Sequence, residues 1–320
     1  MALLCLITIQ LPTKCTTTSF LIQQLINAIF LGSIFSLIAL GYTMVYGIIQ
    51  LINFAHGEMF TAGSFAGLIV LMGLQKVGFV DSHFILSMVL VFGLGMAYVA
   101  VLGVSIEQVA YKPLRNASRL AAILSALGMS IFLSNGMMLS QGVSDRGFPP
   151  VFGWDGFRIM DAKISYGQVF IIILAFALMY SLWIFVTSTK LGKAMRATAQ
   201  NKPMARMLGI NVDKTIRVTF MIGPGLGAAA GIMVGLYYGS VRFDMGFIYM
   251  IKAFAAAILG GIGSIPGAML GGMIIGFVEV AWSAFLPSEW KDVTTFVVMI
   301  LVLYLKPSGL LGQSATEDKV

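Results

Sequence analysis

The sequence carries very little charge for its length. Only 10% of its 320 residues are Asp, Glu, Lys or Arg, whereas about a quarter of the residues are charged in an ordinary soluble domain. Hydrophobic residues make up 58% of the chain, and 36 residues are glycine. This composition excludes a soluble globular fold and indicates a polytopic membrane protein.

Groups that enzymes use for chemistry are scarce. The chain has two cysteines, Cys5 and Cys15, and two histidines, His56 and His83, and none lies at a spacing typical of a metal site. It contains no G-x-x-x-x-G-K-[ST] phosphate-binding loop, so it does not hydrolyse ATP by that route. We therefore predict a non-catalytic membrane protein with no metal and no cofactor.

The net charge of +7 does not indicate binding to nucleic acid. The basic residues lie in loops between apolar segments, with no basic face and no interleaved aromatic residues. Lys and Arg collect in the cytoplasmic loops of membrane proteins, so their positions report orientation. Residues 107–119 are predicted to be cytoplasmic, and the charge-balanced loop 141–166 is predicted to lie on the opposite face.

The most basic loop, residues 188–217, is predicted to be cytoplasmic as well. Asn201 and Pro203 indicate the start of a short helix in this loop, and Gly209 indicates its end. The loop has a single acidic residue, Asp213, against seven basic ones: Lys190, Lys193, Arg196, Lys202, Arg206, Lys214 and Arg217.

The short helix carries an apolar stripe. Met204, Met207 and Leu208 follow the i, i+3, i+4 spacing of one helix face. A helix this short is not stable alone, so its stripe must rest on the membrane domain, on lipid headgroups or in the groove of a partner protein. The alternative is a solvated basic loop that only sets the topology.

Apolar segments of about twenty residues predict eight or nine membrane passes in an all-α bundle. Two breaks in this pattern, residues 53–57 and 260–267, are short, and the second is rich in glycine. Broken or re-entrant backbone at membrane depth is tolerated where it is surrounded by protein or lines a cavity. The nine segments are 23–48, 54–74, 84–106, 120–140, 167–187, 218–239, 248–265, 267–286 and 293–305.

Three ionisable residues fall within or beside the predicted spans, namely Glu58, Lys252 and Glu279. An unpaired charge at the centre of a span costs about 2.5–3.5 kcal/mol, so these side chains should face the bundle interior or a pathway. Lys252 either pairs with one of the two acids or meets a passing carboxylate. Asn53 and His56 lie in the first break, and His56 serves either in a proton relay or as a hydrogen-bonding residue.

Glycine recurs at every fourth position through one span. This spacing places the glycines on one ridge of a helix and allows another helix to approach closely. We predict that the ridge packs against a helix of this chain or of a partner subunit. Its members are Gly223, Gly227, Gly231, Gly235 and Gly239.

Several long motifs resemble those of one family, the LivH-type permeases of branched-chain (hydrophobic) amino acid ABC importers. The similarity covers the chain from about residue 23 to its end. Its segments are ALGYTMVYGIIQLINFAHGEM (39–59), MLGIN (207–211), KAF (252–254), LGGIGSIPGA (259–268), EWKD (289–292) and KPSGLLG (306–312).

The resemblance implies a heteromeric importer in the bacterial inner membrane. Its expected partners are a second, LivM-like permease, two ABC ATPase subunits and a periplasmic binding protein that delivers branched-chain amino acids. It further implies an N-terminal extension at 1–18, a permease domain at 19–312 and a cytoplasmic tail at 313–320.

In this family the loop 188–217 couples the permease to the ATPase. The resemblance assigns that contact to Lys202, Met204, Arg206, Met207, Leu208 and Gly209. Gln200 and Asn201 stand where relatives usually carry acidic residues, which puts a salt bridge to the ATPase there in doubt. Two alternatives to the amino-acid importer remain, a urea or short-amide ABC permease and a stand-alone secondary transporter or channel.

Overall fold

The computed structural model describes residues 18–115, 117–152, 156–159 and 162–312. Most of the predicted N-terminal extension and the whole predicted tail lie outside these ranges. Helices dominate the described chain, so the predicted all-α membrane architecture is confirmed. Four short strands in the loops between helices were not predicted, and they form two antiparallel pairs.

The described chain contains four strands and twelve α-helices. The strands are β1 (Arg146–Gly147), β2 (Gly156–Ile159), β3 (Ala162–Ser165) and β4 (Ser240–Val241). The α-helices are α1 (Thr18–Ile49), α2 (His56–Lys76), α3 (Phe79–Ser82), α4 (Phe84–Ile106), α5 (Arg119–Gln141), α6 (Tyr166–Ser188), α7 (Lys190–Gln200), α8 (Lys202–Met207), α9 (Val212–Tyr238), α10 (Met245–Gly260), α11 (Ile265–Phe285) and α12 (Lys291–Leu305).

Seven of the described helices are long and apolar enough to cross a membrane: α1, α2, α4, α5, α6, α9 and α11. The predicted count of eight or nine is not reached on these criteria. Helix α10 has 16 residues and α12 has 15. At 1.5 Å per residue, each extends about 22–24 Å, less than the hydrocarbon thickness of about 30 Å.

Helix α1 lies at the centre of the bundle, with 94% of its apolar window buried. Small residues let α11 approach it closely: a side chain at Gly272 would overlap the backbone of Ser36, and one at Gly276 would overlap the backbone of Gly32. The Ser36 hydroxyl donates a hydrogen bond to the carbonyl of Met269 across the same seam, at 2.6 Å. Close backbone packing of this kind is how membrane helices associate without a hydrophobic driving force.

Contacts between loops agree with the orientation predicted from charge. Arg115 forms ion pairs with Glu107 and with Asp213, which places the loop after α4 beside the start of α9. Strand β1, in the loop after α5, pairs with β4, after α9. Loops 107–119 and 188–217 therefore share one end of the bundle, and loop 141–166 lies at the other.

The first break in the helical pattern reaches deep into the bundle. Gln50 adopts a φ of +60°, and the Asn53 side chain accepts hydrogen bonds from the backbone N–H of Ala55 at 3.1 Å and from the Tyr111 hydroxyl at 2.8 Å. Helix α2 then begins at His56, whose ring lies beside Gly227 near the middle of α9. After α1 the chain therefore turns back into the bundle. Helix α2 starts at about half the depth of the bundle.

The second break is hydrogen-bonded to the segment that follows α12. Gly261 has a φ of +102° after α10, and Ser264 caps α11. The backbone N–H groups of Leu310 and Leu311 donate to the carbonyls of Leu259 and Gly260, each at 2.9 Å. These bonds satisfy carbonyls at the C-terminal end of α10, which has no further helical turn to receive them.

The glycine ridge of α9 faces other parts of the same chain. Gly223 packs on Gly41 of α1, and a side chain at Gly231 would overlap the Phe60 carbonyl oxygen of α2. Gly235 packs on Phe148, while Gly239 ends the helix at φ +70° with open space around its Cβ position. Gly239 therefore terminates α9 and is not part of the packing seam.

Replacing Gly231 by Ala should destabilise the protein, because the new methyl group would push α9 away from α2. Overpacking of this kind costs about 1–3 kcal/mol. Gly225→Ala on the same helix is the matched control, since the nearest atom to its Cβ position is the Met96 carbonyl oxygen at 3.8 Å. Thermal melting in detergent should show a lower midpoint for Gly231→Ala only. Equal midpoints would contradict this packing.

Candidate functional site

The loop 188–217, predicted to be cytoplasmic, contains the predicted short helix, now α8. The Asn201 side chain accepts the backbone N–H of Met204 at 3.0 Å, Pro203 lies in the first turn, and Gly209 ends the segment at φ +78°. The loop also contains α7, which was not predicted. Its signal was present in the sequence, because Thr189 is a helix-capping residue and accepts the backbone N–H of Gly192.

Helix α8 presents an apolar surface away from the bundle. We call Met204, Met207 and Leu208, which are 55%, 86% and 73% exposed, the coupling surface. Ala205, on the opposite side, is buried and seats the helix on the rest of the chain. No described residue covers the three apolar side chains, and such a patch at a membrane boundary is typical of an interaction site.

Lys202 and Arg206 have different surroundings although both belong to α8. The Lys202 ammonium donates a hydrogen bond to the carbonyl of Ile49, the last residue of α1, at 3.2 Å. Burial lowers the pKa of Lys202, and the nearby Arg115 and Arg206 lower it further. Arg206 is exposed. Lys202 thus links α8 to the C-terminal end of the central helix, where a cation is favourable.

Lys252 lies in a cluster of charged side chains between α10, α11 and α12. Its ammonium is 2.8 Å from both carboxylate oxygens of Glu279 and 2.8 Å from Oδ1 of Asp292. Lys291 is 3.5 Å from Oε1 of Glu279, and the Phe35 ring lies 5.5 Å from the Lys252 ammonium. We call Lys252, Glu279, Lys291 and Asp292 the charged cluster. Of the two acids considered for Lys252, the structure places Glu279 beside it.

Glu58 lies elsewhere, at the start of α2. One carboxylate oxygen accepts a hydrogen bond from the Ser130 hydroxyl of α5 at 3.3 Å, and the other has no partner among the described residues. The ring nitrogens of the buried His56 also lack a partner within the described chain. A hydrogen-bonded relay from His56 to Glu58 is therefore not formed in this conformation.

A cavity of about 510 Å³ adjoins the charged cluster; we call it the charged cavity. Its lining includes the apolar side chains of Leu31, Phe35 and Ile248. Asp145 and Arg242 line it as well, and both belong to loops at the end opposite to the coupling surface. The cavity therefore lies toward the periplasmic face predicted from charge.

Sequence reasoning missed the outer half of the charged cluster. Lys291 and Asp292 follow a proline and a short 3-10 helix, so in the sequence they resemble loop residues. Their signal was present in the sequence, because both belong to the EWKD motif at 289–292 that resembles the family's. Ser130 was also missed, because a serine within a span usually bonds its own helix backbone.

Comparison with known proteins identifies the family. Residues 24–303 match the model of the family described as "Branched-chain amino acid transport system / permease component". The chain belongs to this family. It is a multi-pass protein of the bacterial inner membrane, and the resemblance seen in its sequence motifs is confirmed.

The relatives cover nearly the whole chain. The permease LivH of Escherichia coli K12 is 44% identical over 93% of this chain and 97% of its own. BraD of Pseudomonas aeruginosa is 44% identical over 92% and 97%. Both are described as high-affinity branched-chain amino acid transport system permease proteins.

A solved structure shares the fold. It is an ABC transporter of the metal-chelate type in an inward-facing conformation, 16% identical, with a TM-score of 0.50 over 88% of this chain and 85% of its own. The likeness shows that the two chains share a fold.

Lys252→Met should impair assembly because it leaves the Glu279 carboxylate buried without its closest cation. Breaking a buried pair by removing one partner typically costs about 3–5 kcal/mol. Adding Glu279→Gln should restore much of the loss, whereas adding Glu58→Gln should not. The yield of monodisperse protein after size-exclusion chromatography measures both effects. Normal yield from Lys252→Met alone would show that the pair is dispensable.

Proposed function

We propose that this chain is the membrane subunit of an ATP-driven importer of branched-chain and other hydrophobic amino acids, forming half of the translocation pathway. The single observation that carries the proposal is the coupling surface: an exposed apolar helix on the cytoplasmic end of a permease that has no phosphate-binding loop of its own. Such a chain needs an ATPase from outside. The names of LivH and BraD supply the substrate class.

The coupling surface is proposed to sit in a groove of an ABC ATPase subunit. Met204, Met207 and Leu208 would be the buried anchors, and Arg206 would contact the rim. Because Lys202 bonds the end of α1, a displacement of α8 by the ATPase would act directly on the central helix. Gly209 ends α8 and would let the loop turn back toward α9.

The second permease, LivM-like in this family, is proposed to cover α5. Only 11% of the apolar window of α5 is buried within this chain. Asn135, at membrane depth, is exposed and satisfies one amide hydrogen only on its own helix, at the Ile131 carbonyl. A polar side chain facing lipid is costly, so a protein surface there is favoured. A second ATPase and a periplasmic binding protein would complete the complex.

Helices α10 and α12 are proposed to be the eighth and ninth passes, with α10 shortened because it starts inside the bundle. The start of α10 supports this, since Gly246 packs against Gly57 at the half-depth start of α2. The two Gly-rich breaks would then be broken segments beside the pathway, as in other transporters.

Two other functions remain candidates. A urea or short-amide importer would use the same coupling surface and differ in its binding protein. A stand-alone secondary transporter would be expected to carry a relay of acids and histidines within the membrane. The single pair of His56 and Glu58 does not make such a relay, which disfavours this function. The charges of the cavity favour a substrate that carries charged groups over urea.

Reconstitution in liposomes tests the function. The chain alone should give no concentrative leucine uptake, with or without ATP. The complex with its second permease and ATPases should give uptake that needs ATP and the loaded binding protein. Concentrative uptake by the single chain would establish a secondary transporter instead, and uptake of urea but not leucine by the complex would establish the amide alternative.

Leu208→Asp should abolish ATP-coupled uptake, because a carboxylate would enter an apolar groove. Leu191→Asp in α7 is the matched control, being the same change at a partly exposed site in the same loop. Arg206→Ala should have a mild effect, as rim charges usually do. A cysteine at Met207, with Cys5 and Cys15 replaced by Ser, should cross-link to the ATPase. Normal uptake by Leu208→Asp would exclude the groove.

A further inference from the structure

The side chains of the charged cluster form a row of alternating charges, and the two outer side chains are accessible. In order, Asp292, Lys252, Glu279 and Lys291 carry negative, positive, negative and positive charge, at the distances given above. The inner pair is buried, with side chains 8% and 6% exposed. The outer two are accessible, with Asp292 47% and Lys291 41% exposed. A carboxylate and an ammonium at neighbouring positions therefore remain partly open to further partners.

The charged cavity brings these two groups together with apolar side chains. Its volume of about 510 Å³ lies within the range of about 300–1,000 Å³ typical of small-molecule sites. Lys291 and Asp292 line it together with Leu31, Phe35 and Ile248. The cavity can thus bond a pair of opposite charges and also accommodate an apolar side chain.

We propose that the charged cavity is a transit site for the zwitterion of an α-amino acid. The ligand ammonium bonds Asp292, its carboxylate bonds Lys291, and its side chain packs on Leu31, Phe35 and Ile248. Lys252 and Glu279 are positioning residues that hold the two outer groups in place. The inference rests on the proposed function and names the site through which its substrate passes.

Charge balance selects a zwitterion over ligands with one charge. The cluster contains two ammonium groups and two carboxylates, so it is formally neutral. A ligand with a single charge would form only one of the two ion pairs that Lys291 and Asp292 offer, and it would give the neutral cluster a net charge. Urea has no charge to bond the outer pair. The site therefore distinguishes α-amino acids from monocarboxylates, amines and short amides.

Binding at this site should be weak. Asp292 and Lys291 are accessible to water, and ion pairs at exposed groups contribute little net free energy. A transit site must also release its ligand to the next part of the pathway. We therefore expect half-saturation at millimolar leucine.

Cysteine accessibility in the assembled complex measures occupancy. Cys5 and Cys15 are replaced by Ser, and Ser240→Cys places one thiol in the cavity lining. Millimolar L-leucine should slow modification by a membrane-impermeant maleimide several-fold. Isovalerate, which lacks the ammonium, and isoamylamine, which lacks the carboxylate, should not. Ser82→Cys in α3, the same change outside the cavity, is the control and should show no protection.

Charge variants show whether the outer pair binds the ligand. Lys291→Met and Asp292→Asn should each abolish protection by leucine and raise the KM for uptake at least several-fold, with the complex still assembling. Lys76→Met and Asp81→Asn make the same changes at exposed positions near the end of α2 and should leave both measurements unchanged. Protection that survives both cavity variants would overturn the proposed ligand contacts.

The failure of this inference is distinguishable from failure of the proposed function. If the unmodified complex imports leucine but leucine does not protect Ser240→Cys, the transit site is wrong and the importer stands. If isovalerate or isoamylamine protects as well as leucine, the zwitterion requirement is wrong. If the unmodified complex shows no ATP-dependent leucine uptake, the proposed function itself is wrong.

Discussion

Close backbone packing around α1 is the constraint on which the rest of the structure depends. Lipid supplies no hydrophobic force between helices, so their association relies on shape, and glycine permits the closest fit. Gly272 and Gly276 let α11 reach α1, while Gly223 and Gly231 bring α9 against α1 and α2. This rigid centre fixes both ends of the molecule, because α1 meets Lys202 at its cytoplasmic end and contributes Leu31 and Phe35 to the charged cavity.

Several polar side chains within the bundle are paired with one another or hydrogen-bonded to the backbone. Lys252 and Glu279 neutralise each other beside the charged cavity, and Asn53 satisfies the turn between α1 and α2. The coupling surface lies at the opposite end, attached through Lys202 to the last carbonyl of α1. A single helix therefore connects the place where an ATPase would act with the place where a substrate would rest. Helix α1 is therefore a candidate element for coupling these two places, since it contacts both.

Sequence patterns predicted the parts that depend on local chemistry. Asn201, Pro203 and Gly209 define a helix through capping and φ preferences, and the charged loops gave the orientation. The long motifs gave the family. Tertiary packing decided the rest: hydropathy could not show that α10 starts inside the bundle, nor which of Glu58 and Glu279 lies beside Lys252. The contribution of Lys291 and Asp292 was hidden because it arises from where α12 begins.

The most direct test of this account is an electron cryomicroscopy structure of the chain with its second permease and ATPases in a lipid nanodisc. The account predicts that Met207 and Leu208 are buried in an ATPase groove and that Asn135 faces the second permease. It also predicts that Lys202 still bonds the end of α1. A structure in which α8 lies free or in lipid headgroups while the ATPase contacts another loop would contradict the central claim.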